Sequence, residues 1–327
     1  MLVREFSIEE FKGIRKCKEP IKLSKFNVLV GRNNSGKTAI LEALSLFPLP
    51  DHPIIPYGRR IDFLAKMHGG VSSLVYGYHG IARIKYVLEG KHEILVELSH
   101  TGGSKVFVNG MLFKGEVAEL AKILGVRPSF EEIGKITFFI PNNTNALASI
   151  YQILKEEVFR NMLMKSGAHI RVVRDLVNKC VDDIYTEILL DSPMLRVRKE
   201  LPGDGVFYIK IEDLGDGIER VILISLWLEA LKPKLVLWDD FEASLHPTLI
   251  RELLRWLDEK GWQVVLATHS IDVLQRLVEV EPEDVKVILL CKTADDILRV
   301  QYLLLDELED FLYSGQDPRY LVEVLKL

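Results

Sequence analysis

Gly31-Arg32-Asn33-Asn34-Ser35-Gly36-Lys37-Thr38 fits the phosphate-loop pattern G-x-x-x-x-G-K-[ST] at every fixed position. The apolar run Phe26-Asn27-Val28-Leu29-Val30 precedes it and reads as a buried strand. Ala39-Ile40-Leu41-Glu42-Ala43-Leu44 follows and reads as a helix. Strand, glycine loop and helix in that order are the context the motif needs. Glycines allow successive backbone N–H groups to curl around phosphates, and the positive end of a helix supports the same charge. Lys37 then adds a point charge, and the Thr38 hydroxyl is placed to ligate Mg²⁺. A nucleoside triphosphate is the expected ligand of Gly31, Arg32, Asn33, Asn34, Ser35, Gly36, Lys37 and Thr38.

The second half of such a site is expected far downstream. Leu235-Val236-Leu237-Trp238-Asp239 is an apolar strand ending in a carboxylate that can hold the metal, and Asp240 follows where a general base would orient water. Adjacent acids before a helix also serve as caps, which is the plainer reading of the pair. Phe241-Glu242-Ala243-Ser244-Leu245-His246-Pro247 leads into the next helix. Val264-Val265-Leu266-Ala267-Thr268-His269 is another buried strand, with His269 at its C-terminal end, the ligand side of a parallel sheet. His269 there can sense the γ-phosphate, although a lone histidine is often structural.

The chain has 327 residues, 48% hydrophobic and 27% charged, enough for one large α/β unit with an added lobe. Its net charge of −5 gives no global attraction to nucleic acid, so such a contact must come from a local patch. Arg4, Lys12, Arg15, Lys16, Lys18, Lys22 and Lys25 supply one candidate, and a solvated strand face is the alternative. Cys17, Cys180 and Cys291 form no C-x-x-C pair, which fits buried thiols in a reducing compartment. No signal peptide opens the chain, and the apolar run 221–231 is short and contains Glu229, so a soluble cytoplasmic protein without a membrane partner is expected.

Residues 1–30 alternate as antiparallel strands do, and 81–88, 94–98 and 106–108 read as short strands between turns. Prolines and glycines over 46–70 argue against a regular element there. Residues 149–190 carry helical periodicity, and 194–197 and 206–211 read as strands. The remainder alternates helix and strand, implying a mainly parallel sheet flanked by helices, and 303–327 reads as helical. The expected organisation is an N-terminal lobe over 1–140 with the loop and an antiparallel β subdomain, a helical lobe over 141–200, and a C-terminal lobe over 201–327.

Taken with Phe11-Lys12-Gly13-Ile14 at the start, the series of phosphate loop, Asp239-Asp240, Ser244-Leu245-His246-Pro247 and Thr268-His269-Ser270 resembles the ABC-type ATPase heads of the SMC, RecF and OLD group. The resemblance covers about 1–45 and 205–290. It implies an α/β P-loop NTPase fold of ABC-ATPase type, ATP and Mg²⁺ as cofactors, Asp239 and Thr38 at the metal, and Asp240 and His269 in catalysis. It also implies a homodimer formed on ATP binding, each nucleotide being touched by a signature segment of the other copy. Gly215-Asp216-Gly217 stands where that segment belongs, without the usual serine, and a Gly-Asp-Gly turn is also common in ordinary loops. Asp240 replaces the expected glutamate, which implies slow hydrolysis or help from Glu242 or from a partner residue. The glutamine loop of these heads has Asn142 or Asn143 as its nearest counterpart. Arg59 and Arg60 stand as phosphate contacts or as exposed loop residues. A stand-alone head without long coiled coil or nuclease domain is implied, serving a DNA transaction such as repair, recombination or defence. The alternatives are a slow switch for a separately encoded effector and, further off, a transporter subunit.

Overall fold

The computed structural model describes residues 2–54, 56–190, 194–201, 203 and 205–321. Among these, one large sheet of 13 strands runs through the molecule. Its parallel part is Thr137–Ile140, Leu235–Trp238, Gln263–Thr268, Phe26–Gly31 and Val285–Lys292, side by side in that order. Ile297–Leu303 pairs antiparallel to Val285–Lys292 and parallel to Ile14–Cys17, carrying the sheet into the N-terminal part. There Val3–Phe11 pairs with Ile14–Cys17, Ile21–Lys22 and Ile81–Leu88, and an antiparallel meander continues through Glu93–Ser99, Ser104–Val108 and Met111–Leu112.

The parallel strands are apolar on both faces because both faces are covered. Val28, Val30, Val236, Trp238, Val264 and Leu266 face one core, packed under helices Asp216–Leu231, Pro247–Glu259 and Ile271–Val280. Their alternates Leu29, Leu235, Leu237, Val265 and Ala267 face the other core, with Ile40, Leu41 and Leu44 of helix Lys37–Ser45. Buried polar groups tie the N-terminal strand to this frame. Gln263 accepts from the amides of Leu2 and Val3 and donates to the carbonyls of Val3 and Ser24. The Asn27 amide donates to Ser24 O and Val264 O. Breaking such a set would leave buried donors unpaired, at about 1–3 kcal/mol each.

Several expectations need correction. A helix, Arg60–His68, occupies part of the 46–70 stretch; Gly69 at φ 81 ends it in the left-handed region that glycine tolerates. The 149–190 stretch is not helical throughout: helices Thr144–Leu154 and Glu157–Ser166 are followed by shorter turns, and Tyr185–Leu190 is a strand. Ile184 and Ile188, four apart, imitate one face of a helix, but Ile184 is exposed and lies before the strand, while Ile188 is buried within it. Val158, counted in the helical pattern, is exposed. Tyr185–Leu190 joins Leu195–Leu201 and Gly205–Lys210 in a separate antiparallel sheet. In 303–327, helix Leu305–Tyr313 is present, a short turn spans Pro318–Tyr320, and 322–327 lie outside the described residues. The three thiols are half-buried, and burial pushes Cys17 up to about 11 and Cys180 up to about 12.

Candidate functional site

Register alone gathers the site. Val30 lies opposite Thr268, and Ile140 opposite Trp238, so the residues following four neighbouring parallel strands emerge at one edge of the sheet. Those residues are Gly31, His269, Asn142 and the Asp239-Asp240 pair. The loop from Gly31 opens helix Lys37–Ser45 through Gly36, whose φ of 104 lies in the left-handed region. Gly31 is required for a different reason: a Cβ there would lie 2.5 Å from Ser35 Oγ and 2.8 Å from Leu290 O. The Lys37 ammonium donates to Gly31 O at 2.7 Å and Arg32 O at 3.0 Å. Burial pulls Lys37 down to about 8, against the pull of Asp239, Glu242 and Asp240.

Thr38 Oγ1 donates to Asp239 Oδ2 at 2.9 Å, joining the two halves of the site. Asp239 is 8% exposed, and burial lifts its carboxyl to about 6. A buried carboxylate and a buried ammonium, each displaced toward neutrality, both gain from a ligand of opposite charge. Ser35 Oγ is buried and has no hydrogen-bond partner among the described residues. These are the donors and acceptors that a metal-bound triphosphate requires, so the residues fit Mg²⁺ and ATP. A cleft of ≈ 290 Å³ runs along the loop, bordered also by Lys12, Lys292 and His269.

The Asp240 backbone is left-handed, with φ 50, and its Oδ2 accepts from Asn142 Nδ2 at 2.7 Å. Asn143, the other candidate, instead caps helix Thr144–Leu154 by accepting from the Ala146 amide. Glu242 is occupied at both oxygens, by the Thr268 hydroxyl and the His269 amide, each at 2.7 Å. His269 is exposed at the cleft, and desolvation with the Lys37 charge holds its imidazole below the usual value.

Gly215 begins helix Asp216–Leu231 with φ 91, and a Cβ there would meet nothing within 4 Å. At Gly217 a Cβ would lie 2.3 Å from Ser244 O. The glycine turn is thus packed in the same chain against the loop that follows Asp240. One helical turn on, Arg220 has Nε and Nη2 buried with no partner among the described residues, within the electrostatic reach of Tyr151, Asp240, Asp239 and Glu242. Sequence reasoning missed Arg220, because nothing local marks an arginine as buried.

The two paired arginines separate. Arg60 is 3% exposed and donates to the carbonyls of Phe47, Gly134 and Thr137, so it is a structural tie and not a phosphate contact. Arg59 pairs with Asp51 and Asp62. In the basic N-terminal run, Lys16 lies across from Glu9 and Lys22 across from Glu5, while Lys12 pairs with buried Glu42 and Lys25 with Glu283. The strand face is therefore mixed in sign. Among the described residues no helix is long and apolar enough to cross a membrane.

A family model described as "AAA domain, putative AbiEii toxin, Type IV TA system" matches residues 101–274, more than half of the chain. A second, described as an AAA ATPase domain, matches residues 1–68. The chain belongs to the first of these AAA-domain families. No curated protein matches it. Among solved structures, an SMC head bound to the C-winged helix domain of ScpA aligns with TM-score 0.63 at 17% identity, covering 94% of this chain and 99% of that one. An SMC head with an extended coiled coil from Pyrococcus furiosus, bound to the C-terminal domain of ScpA, gives TM-score 0.58 at 14% identity, covering 96% of this chain and 100% of that one. The SMC head domain from Thermotoga maritima gives 0.54 at 15%, covering 93% and 100%. The fold is that of an ABC-type, SMC-like ATPase head.

Proposed function

We propose that this family member binds and hydrolyses ATP, and that ATP drives two copies together to power or regulate a DNA transaction such as repair, recombination or defence. The observation that carries the reading is the 2.9 Å bond from Thr38 to Asp239, which closes the loop and the acidic strand end into one site. Lys37 offsets phosphate charge, and the Gly31–Gly36 amides hold the phosphate oxygens. Thr38 and Asp239 would hold Mg²⁺, which would supply charge neutralisation.

Asp240 accepts a proton from the attacking water, with Asn142 fixing the orientation of its carboxylate. Glu242, committed to Thr268 and His269, orients the histidine and leaves the base role to Asp240. His269 is the γ-phosphate sensor. Gly215, Asp216 and Gly217 present the helix N-terminus of one copy to the nucleotide of the other, so loss of the γ-phosphate weakens the pair. Two of the similar heads are bound to ScpA domains, which supports a separately encoded protein as the receiver of this cycle.

Steady-state ATPase assays of the wild type and Asp240→Asn test the enzyme reading. Turnover in the wild type that falls to background in the variant is expected; equal background rates in both would contradict it. One observation favours a slower, switch-like version: the carboxylate at the base position is a short aspartate already held by Asn142. In that version nucleotide binding sets association with an effector and turnover is slow. Duplex DNA binding measured with ATP across salt concentrations separates the outputs. Binding absent at low salt removes the DNA role of this chain and leaves the effector.

A further inference from the structure

His269 is held at both of its backbone polar groups. Its amide donates to Glu242 Oε1 at 2.7 Å, and Glu242 Oε2 is in turn fixed by the Thr268 hydroxyl at 2.7 Å. Its carbonyl oxygen accepts from Arg319 Nη1, also at 2.7 Å, across 50 residues of sequence. The guanidinium is not free to wander. Its Nε donates to Asp317 Oδ1 at 2.9 Å and Oδ2 at 3.0 Å, and Nη2 donates to the same carboxylate. Asp317 also accepts from the Arg319 amide at 2.9 Å, capping the short turn Pro318–Tyr320.

That turn is anchored. Pro318 is buried, and helix Leu305–Tyr313 before it seats Leu308 in the core at 0% exposed. Charge-assisted bonds of this kind are shorter and stronger than neutral ones, and a planar fork aligned by one carboxylate has little rotational freedom left to lose. The imidazole of His269 meanwhile lines the cleft beside the phosphate loop. A residue fixed at both its amide and its carbonyl has its Cα–Cβ direction set, so groups outside the cleft decide where the ring can reach.

We propose that Arg319, aligned by Asp317, is a positioning residue for His269: the turn Pro318–Tyr320 completes the nucleotide site by holding the His269 carbonyl while Glu242 holds its amide. This rests on the ATPase reading above for its kinetic consequence, but its geometry is independent of it. Arg319 does not border the cleft along the phosphate loop; it acts through the His269 carbonyl. The C-terminal segment thereby becomes part of the catalytic apparatus, and anything that lifts the turn detunes hydrolysis without emptying the phosphate loop.

The test uses the full chain with Arg319→Ala, Arg319→Lys and Asp317→Asn. A misplacement of about 1 Å can cost about 100-fold in rate, and a smaller shift correspondingly less. Arg319→Ala is therefore expected to lose about tenfold in kcat while the dissociation constant for ATP stays within about twofold. Arg319→Lys should recover part of the loss, since an ammonium reaches the carbonyl but cannot form the fork with Asp317. Asp317→Asn should fall between. The His269 ring-proton resonances, followed by NMR with a non-hydrolysable ATP analogue, should shift in Arg319→Ala. Unchanged kcat and unchanged His269 resonances overturn the proposal. So does a loss of kcat accompanied by an equal loss of ATP affinity and a lower unfolding midpoint, with no recovery in Arg319→Lys. A wild type that binds ATP but never turns it over sinks the enzyme reading instead, and the NMR comparison still decides the role of Arg319.

Discussion

Two glycine turns open helices in this molecule, and they are built for different neighbours. In the first, Gly31 to Gly36, the missing side chain of Gly31 makes room for Ser35 Oγ and Leu290 O, and the loop closes upon itself around Lys37. In the second, Gly217 makes room for Ser244 O, and Gly215 faces open space at φ 91. Each turn contacts a different end of the same short loop. Thr38, after the first, bonds to Asp239; Gly217, in the second, packs against Ser244. The segment 239–244 therefore bridges them. A turn that completes its cradle within one chain can be read from its own motif, whereas a turn with one glycine packed and the other open leaves room for a second copy, as proposed above.

The sharpest way to break this contrast is to remove the charges on the first side. Asp239→Asn should abolish Mg²⁺-dependent ATP binding, yet stabilise the nucleotide-free protein. Burial lifts Asp239 from 3.8 to about 6, so the folded chain holds a proton that the unfolded chain releases. Stability is thus present at low pH and lost as pH rises through that window. The variant should gain up to about 3 kcal/mol over wild type at pH 7.5 and little at pH 4, measured by urea unfolding. Equal stability of the two proteins at pH 7.5 would contradict the burial of that charge.

Lys37→Ala comes next, with an expected loss of about 100-fold in ATP affinity by calorimetry, as for a removed charge-assisted contact. On the second turn, Gly217→Ala should cost about 2 kcal/mol in urea unfolding, because the new methyl meets a backbone oxygen that cannot swing away. Through Ser244 it should also lower kcat. Gly215→Ala should cost only about 1 kcal/mol, the strain of a left-handed backbone without a clash. Its ATP affinity as a single copy should be unchanged. If Gly215→Ala proves more damaging to folding than Gly217→Ala, the proposed difference between the two turns is wrong.

How much of this was legible depended on distance along the chain. The phosphate loop, the Asp239 strand and the His269 strand are legible because each motif carries its own steric or electrostatic reason within a few residues. The parallel core followed from apolar runs of strand length separated by helices. Tyr185–Leu190 was lost because the spacing of Ile184 and Ile188 imitates a helical face, although Ile184 is exposed and precedes the strand; Ile297–Leu303 passed unnoticed beside a longer helical expectation. Arg60 was misjudged because it follows Gly58-Arg59 in a stretch of turn formers, while its partners Gly134 and Thr137 lie far along the chain. Asn142 on Asp240 and Arg319 on His269 are of the same kind: bonds between strand ends or tail and core, set by sheet register and visible only once the strands stand side by side.

The central claim is that ATP held by the first turn recruits the second turn of another copy. Sedimentation velocity of Asp240→Asn, which should bind ATP without spending it, tests this most directly. With Mg²⁺ and ATP the account predicts a species of twice the 37.3 kDa chain, reverting to monomer with ADP and failing to form in Gly215→Ala. A protein that binds ATP by calorimetry and yet sediments as a monomer at every nucleotide concentration would contradict it.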